Sequence, residues 1–281
     1  MTNVAAPEGQ VLRRTAELFH QHRHEIFRQT DRLFAVLLAV QWVAGVAAAY
    51  WISPRAWSGS VSATHIHLWA AVVLGGVICA PPIALALWRP GATSTRYVIA
   101  VGQMLFSSLL IHLSRGRIET HFHIFGSLAF LAFYRDWPVL IPATIVVAAD
   151  HAIRGLFWPE SIFGVLTPSP WRWLEHTGWV VFEDVFLITA CIRSTREMWK
   201  IAERQAELEA TNALVESRVQ ERTAELAASE ERFRSLSAGS PLGIFQADAA
   251  GEITYVNERW RAITGVSAET GLWEARARQC T

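Results

Sequence analysis

The chain has 281 residues, 25 basic and 25 acidic side chains, and a hydrophobic share of 52%. Balanced charge with no broad basic surface excludes a nucleic-acid partner, and the length allows more than one domain. Cys79, Cys191 and Cys280 stand apart without Cys-x-x-Cys spacing, so neither a disulfide framework nor a thiolate zinc site is indicated.

Residues 1–31 are polar or mixed and place Arg13, Arg14, Arg23, His24 and Arg28 ahead of any apolar run. A cleavable signal peptide has a short basic stretch followed at once by its apolar core, so residues 1–31 are expected to remain as a cytoplasmic N-terminal segment. Residues 32–195, dominated by Ala, Val, Leu, Ile, Phe and Trp, are predicted to form an all-α polytopic membrane bundle. Its first span is 33–52, ended by Ser53-Pro54 and a polar turn. The second, 63–88, contains Pro81-Pro82; a packed membrane bundle absorbs such a kink where neighbouring groups satisfy the freed carbonyls. The remaining spans are 96–114, 119–134, 137–153 and 176–192, which makes six transmembrane helices. Several fall short of the roughly 20 apolar residues of a full crossing, so their polar ends are expected in the interface or inside the bundle.

Arginine placement supports that count. With the N-terminus inside, the cytoplasmic segments carry Arg89, Arg96, Arg135, Arg193, Arg196 and Lys200 besides the N-terminal arginines, against Arg55, Arg115, Arg117, Arg154 and Arg172 outside. Both termini are then cytoplasmic, and the expected location is a bacterial inner membrane, with membrane lipids as partners.

Seven of the ten histidines reach one membrane face once the spans are drawn: His65, His67, His112, His121, His123, His151 and His176. A lone histidine ordinarily serves structure, but shared depth points to a metal site, because neutral imidazole binds copper, zinc or iron well. Haem is the alternative cofactor, and a proton-responsive hydrogen-bond network the alternative use. Glu119, Asp150, Glu183 and Asp184 are the carboxylates that can ligate or hold a ligating ring. Residues two apart on a helix point about 200° from each other, so His65/His67 and His121/His123 need not both face inward. The strongest expected ligands are His65, His112, His121, His123 and His151. Glu183 and Asp184 interrupt an apolar stretch and are expected to face the bundle, since desolvating them toward lipid is costly.

Residues 196–236 are predicted to continue the last span as a coiled-coil signalling helix. Ile201, Leu208, Val215, Arg222, Ser229 and Leu236 share one heptad position, with Gln205, Asn212, Val219, Leu226 and Phe233 as its companion. The seam predicts a parallel homodimer. After Pro241, 244–248 and 251–257 read as two short strands joined by a turn, and a helix begins at Glu258.

Phe233-Arg234-Ser235-Leu236, Ser240-Pro241-Leu242-Gly243-Ile244-Phe245, Asp248, Gly251, Tyr255-Val256-Asn257, Trp260 and Thr264-Gly265 resemble the beginning of a PAS sensory domain. His65-Ile66-His67-Leu68-Trp69, Glu119-Thr120-His121-Phe122-His123-Ile124-Phe125-Gly126, Tyr134-Arg135-Asp136-Trp137 and Asp150-His151 resemble the multi-pass input module of bacterial PAS-containing histidine kinases or diguanylate cyclases. The resemblance implies a sensory module that signals to an output kinase or cyclase domain in a longer chain. Residues 237–281 then form an incomplete PAS α/β segment, and the tail 271–281 lacks the pocket and closing sheet of the family. The chain is expected to be a fragment of a larger receptor without kinase or cyclase activity of its own. A histidine-ligated membrane metal oxidoreductase is the rival reading; a transporter is weaker, for want of internal repeats.

Overall fold

The structure, a computed structural model, describes residues 8–250 and 253–265. Cys280, the turn residues 251–252 and the tail 271–281 lie outside them. The chain divides into two compact units, Met1–Glu207 and Leu208–Thr281.

In the first unit, α1 (Glu8–Ile52) joins the polar segment and the first apolar stretch in one helix of 45 residues. An antiparallel hairpin, β1 (Arg55–Ser58) and β2 (Val61–Thr64), follows it. The next helix, Ile66–Trp88, is built from α2 (Ile66–Trp69), a π-helical turn at Ala70–Leu74 and α3 (Gly75–Trp88). Trp42 of α1 anchors the π turn by donating its indole N–H to the Ala71 carbonyl at 3.0 Å. Gly75 makes that approach possible, because a Cβ there would stand 2.8 Å from Trp42 Cδ1. Pro81 and Pro82 lie within α3 without ending it.

The central helix is α4 (Thr93–Leu113), 67% buried over its most apolar window. After it come α5 (Ile118–Leu131) with a 3-10 extension, Ala132–Tyr134, then a 3-10 turn, Trp137–Val139, that opens α6 (Leu140–Phe157). A short α7 (Glu160–Phe163) precedes α8 (Arg172–Gly239), 68 residues long. The main core gathers Phe34, Ile99, Met104, Leu128, Tyr134 and Leu140, all almost fully buried.

Among the described residues, four helices are long and apolar enough to cross a membrane: Glu8–Ile52, Ile66–Trp88, Thr93–Leu113 and Trp137–Phe157. The expected spans at 119–134 and 176–192 are not among them. At 14 residues α5 is short, and Glu183 and Asp184 lower the hydropathy of the corresponding part of α8.

A buried polar network ties the end of the bundle opposite the β1–β2 hairpin. Asp31 accepts from the Tyr134 hydroxyl and from the Gly91 amide, each at 2.6 Å. Asp136 pairs with Arg23 at 3.0 Å and with Arg96 at 2.8 Å, and the Arg96 guanidinium lies 4.2 Å from the Phe27 ring centroid. The network binds α1, the α3–α4 turn, α4 and the α5–α6 turn, and Thr195 of α8 joins it by donating to the Arg135 carbonyl at 2.9 Å. Tyr134→Phe leaves a buried carboxylate oxygen without its donor, so a loss of about 1–3 kcal/mol is expected in detergent-denaturation titrations.

Ahead of its apolar stretch, α1 packs Leu18 and Phe19 against Met198, Ala202 and Ala206 of α8. Phe19 also meets Trp199 edge-on, with centroids 5.3 Å apart.

In the second unit, β3 (Phe245–Ala247) pairs antiparallel with β4 (Ile253–Val256), and α9 (Glu258–Thr264) follows. Asn257 organises the corner: its side-chain oxygen accepts from the Trp260 and Ile244 amides, and its amide donates to Ser237 and Leu242 carbonyls. The first two contacts cap α9 and hold β3.

Candidate functional site

The structure sorts the seven histidines into two groups and one separate residue. His121 from α5, His151 from α6 and His176 from α8 form a triangle. Their ring centroids lie 5.6, 5.4 and 5.5 Å apart for the 121–151, 121–176 and 151–176 pairs.

All three rings are anchored alike. Their Nδ1 atoms meet the carbonyls four residues earlier, of Arg117, Val147 and Arg172, at 3.0, 3.0 and 2.9 Å. A carbonyl only accepts, so each Nδ1 carries the proton and each Nε2 of the neutral ring presents a lone pair. His121 Nε2 is buried and has no partner among the described residues. The triangle borders a cavity of about 440 Å³ lined also by Phe122, Phe125, Glu175 and Trp179. Glu175 was not among the carboxylates singled out from the sequence; its adjacency to His176 was the available signal.

The second group is a chain of rings: His65 to His67 at 4.4 Å, His67 to His112 at 5.1 Å and His112 to Trp158 at 4.9 Å. These histidines border a different cavity, of about 390 Å³, with Arg115, Glu160 and Ser161.

His123 belongs to neither group. The Gln41 side-chain amide donates to its Nε2 at 3.0 Å, and its Nδ1 meets the Ser107 hydroxyl at 2.8 Å. Ser107 donates onward to the Gln103 carbonyl at 3.0 Å, so both ring nitrogens are engaged in an interhelical network. Two residues after His121 on α5, the ring turns to another face, as helix geometry requires.

The carboxylates expected to support a site disperse. Glu119 is exposed and stands 3.5 Å from Arg117. Asp150 is engaged by Arg154, 2.7 Å from its Nε, and approaches His151 Nδ1 only to 3.9 Å. Asp184 accepts from Thr144 of α6, and Glu183 Oε2 and Asp184 Oδ1 are buried without partners among the described residues.

The donor set of the triangle suits a metal in kind, because three neutral imidazoles with free Nε2 lone pairs form a usual nitrogen ligand set. It does not suit one in position: among the described residues no three His, Cys, Asp or Glu side chains are placed to hold a metal ion. Coordination requires the rings to turn.

Residues 231–280 match the PAS domain family. The chain is also similar to transducer protein Htr8 of Halobacterium salinarum (strain ATCC 29341 / DSM 671 / R1), 32% identical over 81 residues. That match takes in 28% of this chain and 13% of the transducer, so the chain spans a small part of the relative's length. No solved structure matches. The PAS match agrees with the resemblance read from 233–265, and it covers too little of the chain to assign the membrane part to a family.

Proposed function

We propose that the chain is the membrane sensory input of a signal-transduction receptor, detecting a ligand, metal or redox change at the His121, His151 and His176 triangle. One observation carries the reading: His176 lies in the first turns of α8, and the same uninterrupted helix leads to the PAS-type segment. The transducer likeness supports a signalling role.

The ring rotation that coordination demands would couple binding to α8. His121, His151 and His176 would hold the metal, and they stand on α5, α6 and α8, of which only α8 runs on toward the PAS-type segment. Copper, zinc and iron all suit imidazole nitrogen, and haem remains the alternative cofactor. The full topology proposed is six crossings in a bacterial inner membrane with both ends cytoplasmic, α5 and α8 supplying the two short crossings. Ile201, Leu208, Val215, Val219, Leu226 and Phe233 are exposed along α8, which supports a parallel homodimer through this seam and output through a kinase or cyclase domain of the whole receptor.

Metal analysis and optical spectroscopy of the detergent-purified chain test the site. Stoichiometric metal or haem is expected, and His121→Ala, His151→Ala and His176→Ala should each weaken retention at least about tenfold, the scale on which even outer partners of metal sites act. Folding is followed on the same samples by detergent denaturation. Absence of bound metal or haem in the parent protein overturns the metal reading. Turnover of a redox substrate by the bundle alone would favour the oxidoreductase instead.

A further inference from the structure

His65 and His112 of the second group present the opposite hydrogen-bonding polarity to the triangle, while His67 Nδ1 is buried without a partner among the described residues. In the triangle every Nδ1 donates to a carbonyl, which leaves acceptors at Nε2. In the other group, His65 Nδ1 accepts the backbone N–H of His67 at 3.1 Å, so the neutral His65 ring carries its proton on Nε2. His112 follows the same logic. Ser161 Oγ accepts from Arg154 Nη1 at 3.0 Å and lies 2.8 Å from His112 Nδ1. The serine hydroxyl has no other acceptor among the described residues, so donation to Nδ1 is the arrangement that satisfies it, and in that arrangement His112 Nε2 is a donor.

Arg115 adds a full positive charge to these two ring donors. It borders the same cavity, and no carboxylate pairs with its guanidinium among the described residues. Its backbone is held in the left-handed region at φ 60°, in a turn fixed by the Arg115 N–H to His112 carbonyl bond of 3.0 Å. Arg115 and the lining carboxylate Glu160 are both solvent-exposed, so salt partly screens each charge, and Glu160 opposes an anion held there. A volume of about 390 Å³ is in the range of small-molecule sites.

We infer that the cavity between His65, His112 and Arg115 binds an oxyanion, a phosphate or carboxylate group, separately from the histidine triangle. Ring N–H groups and a guanidinium are donors without acceptor capacity, the complement of an anion and the opposite of a metal site. Trp158, stacked edge-on against His112, offers an apolar wall for the remainder of the ligand. The anionic group can come from a free small molecule or from a lipid headgroup.

Calorimetric titration of the full chain in lipid-free detergent with inorganic phosphate tests the first source, and phosphorus NMR of the chain in phosphatidylglycerol nanodiscs tests the second. Saturable binding is expected in at least one arm. Arg115→Asn, chosen because Asn tolerates positive φ, should weaken it at least about tenfold, as loss of a charge-assisted hydrogen bond entails. Arg115→Lys should retain most of it, and Glu160→Gln should tighten it. Phosphate heat in detergent identifies a free anion; a perturbed lipid phosphorus signal that Arg115→Asn abolishes identifies a headgroup. The inference is overturned if neither arm shows Arg115-dependent binding, or if Glu160→Gln weakens binding as a cation site would require. Metal retention on the Arg115→Asn sample reports on the triangle independently.

Discussion

Asp136→Ala is expected to remove about 3–5 kcal/mol of stability, because it strips the shared carboxylate from a buried pair and strands a guanidinium. Asp136 is 9% exposed and Arg96 8%, so Arg96 has little water to turn to once its partner is gone. Its remaining neighbours are the Phe27 face at 4.2 Å, the Tyr97 ring at 5.9 Å and the Asp31 carboxylate, which is already engaged by Tyr134 and Gly91, and a cation over a ring recovers only about 0.5–2 kcal/mol. Arg23 is better placed: its side chain is 32% exposed and can rehydrate. The deficit should therefore trace to Arg96, and the double variant Arg96→Met/Asp136→Ala should be more stable than Asp136→Ala alone. Dodecyl sulfate titration of the purified protein, followed by circular dichroism, measures both. A single variant as stable as the parent would show that the network has no structural weight.

Gly116→Val is expected to disrupt the turn between α4 and α5. A Cβ at Gly116 would stand 2.4 Å from the Gly164 nitrogen and 2.7 Å from the Ile162 carbonyl carbon, and its φ is +70°. The obstructing atoms are backbone, so no side chain can swing aside. Overpacking together with a strained β-branched residue amounts to roughly 2–5 kcal/mol. The damage should be local, because Gly116 joins the 111–117 turn to α7, and α7 carries Ser161, the partner of His112. Thermal unfolding should shift down, and proteolysis should begin within 111–117 or 158–171. Gly126→Val serves as control, since a Cβ there meets nothing within 4 Å.

Helices were the most legible part of the chain because apolar runs and proline punctuation are local. Ser53-Pro54 marks the end of the first span within a few residues, and the strand pair and helix beyond Pro241 follow from turn residues. Less legible was anything set by the phase of one helix against another. His121 and His123 share a depth, but a two-residue offset sends one to the triangle and the other to Gln41 and Ser107. His65 and His67 share an offset too, yet they stay together because His65 precedes α2 and caps it. His176 was ranked below His123 as a ligand, although the structure brings it, and not His123, beside His121 and His151. Glu119 looked like a supporting carboxylate because it is near His121 in the chain; on the helix it faces Arg117. The Asp31, Tyr134, Arg96 and Asp136 network was not visible, because its members come from three segments, α1, α4 and the α5–α6 turn, joined only by folding.

The contact of Leu18 and Phe19 with Met198, Ala202 and Ala206 has a consequence for topology. These residues precede the first apolar stretch and follow the last one. If the apolar stretches lie in a bilayer, two extramembrane ends that touch must emerge on the same side. The number of crossings is then even, whichever side that is. Four apolar helices satisfy this parity, and so does the addition of both α5 and the first part of α8; adding only one of them does not. The two marginal segments must therefore enter the membrane together or not at all. A reporter placed in the 158–171 connection between α6 and α8 would distinguish the cases only when read alongside one in the 114–117 turn.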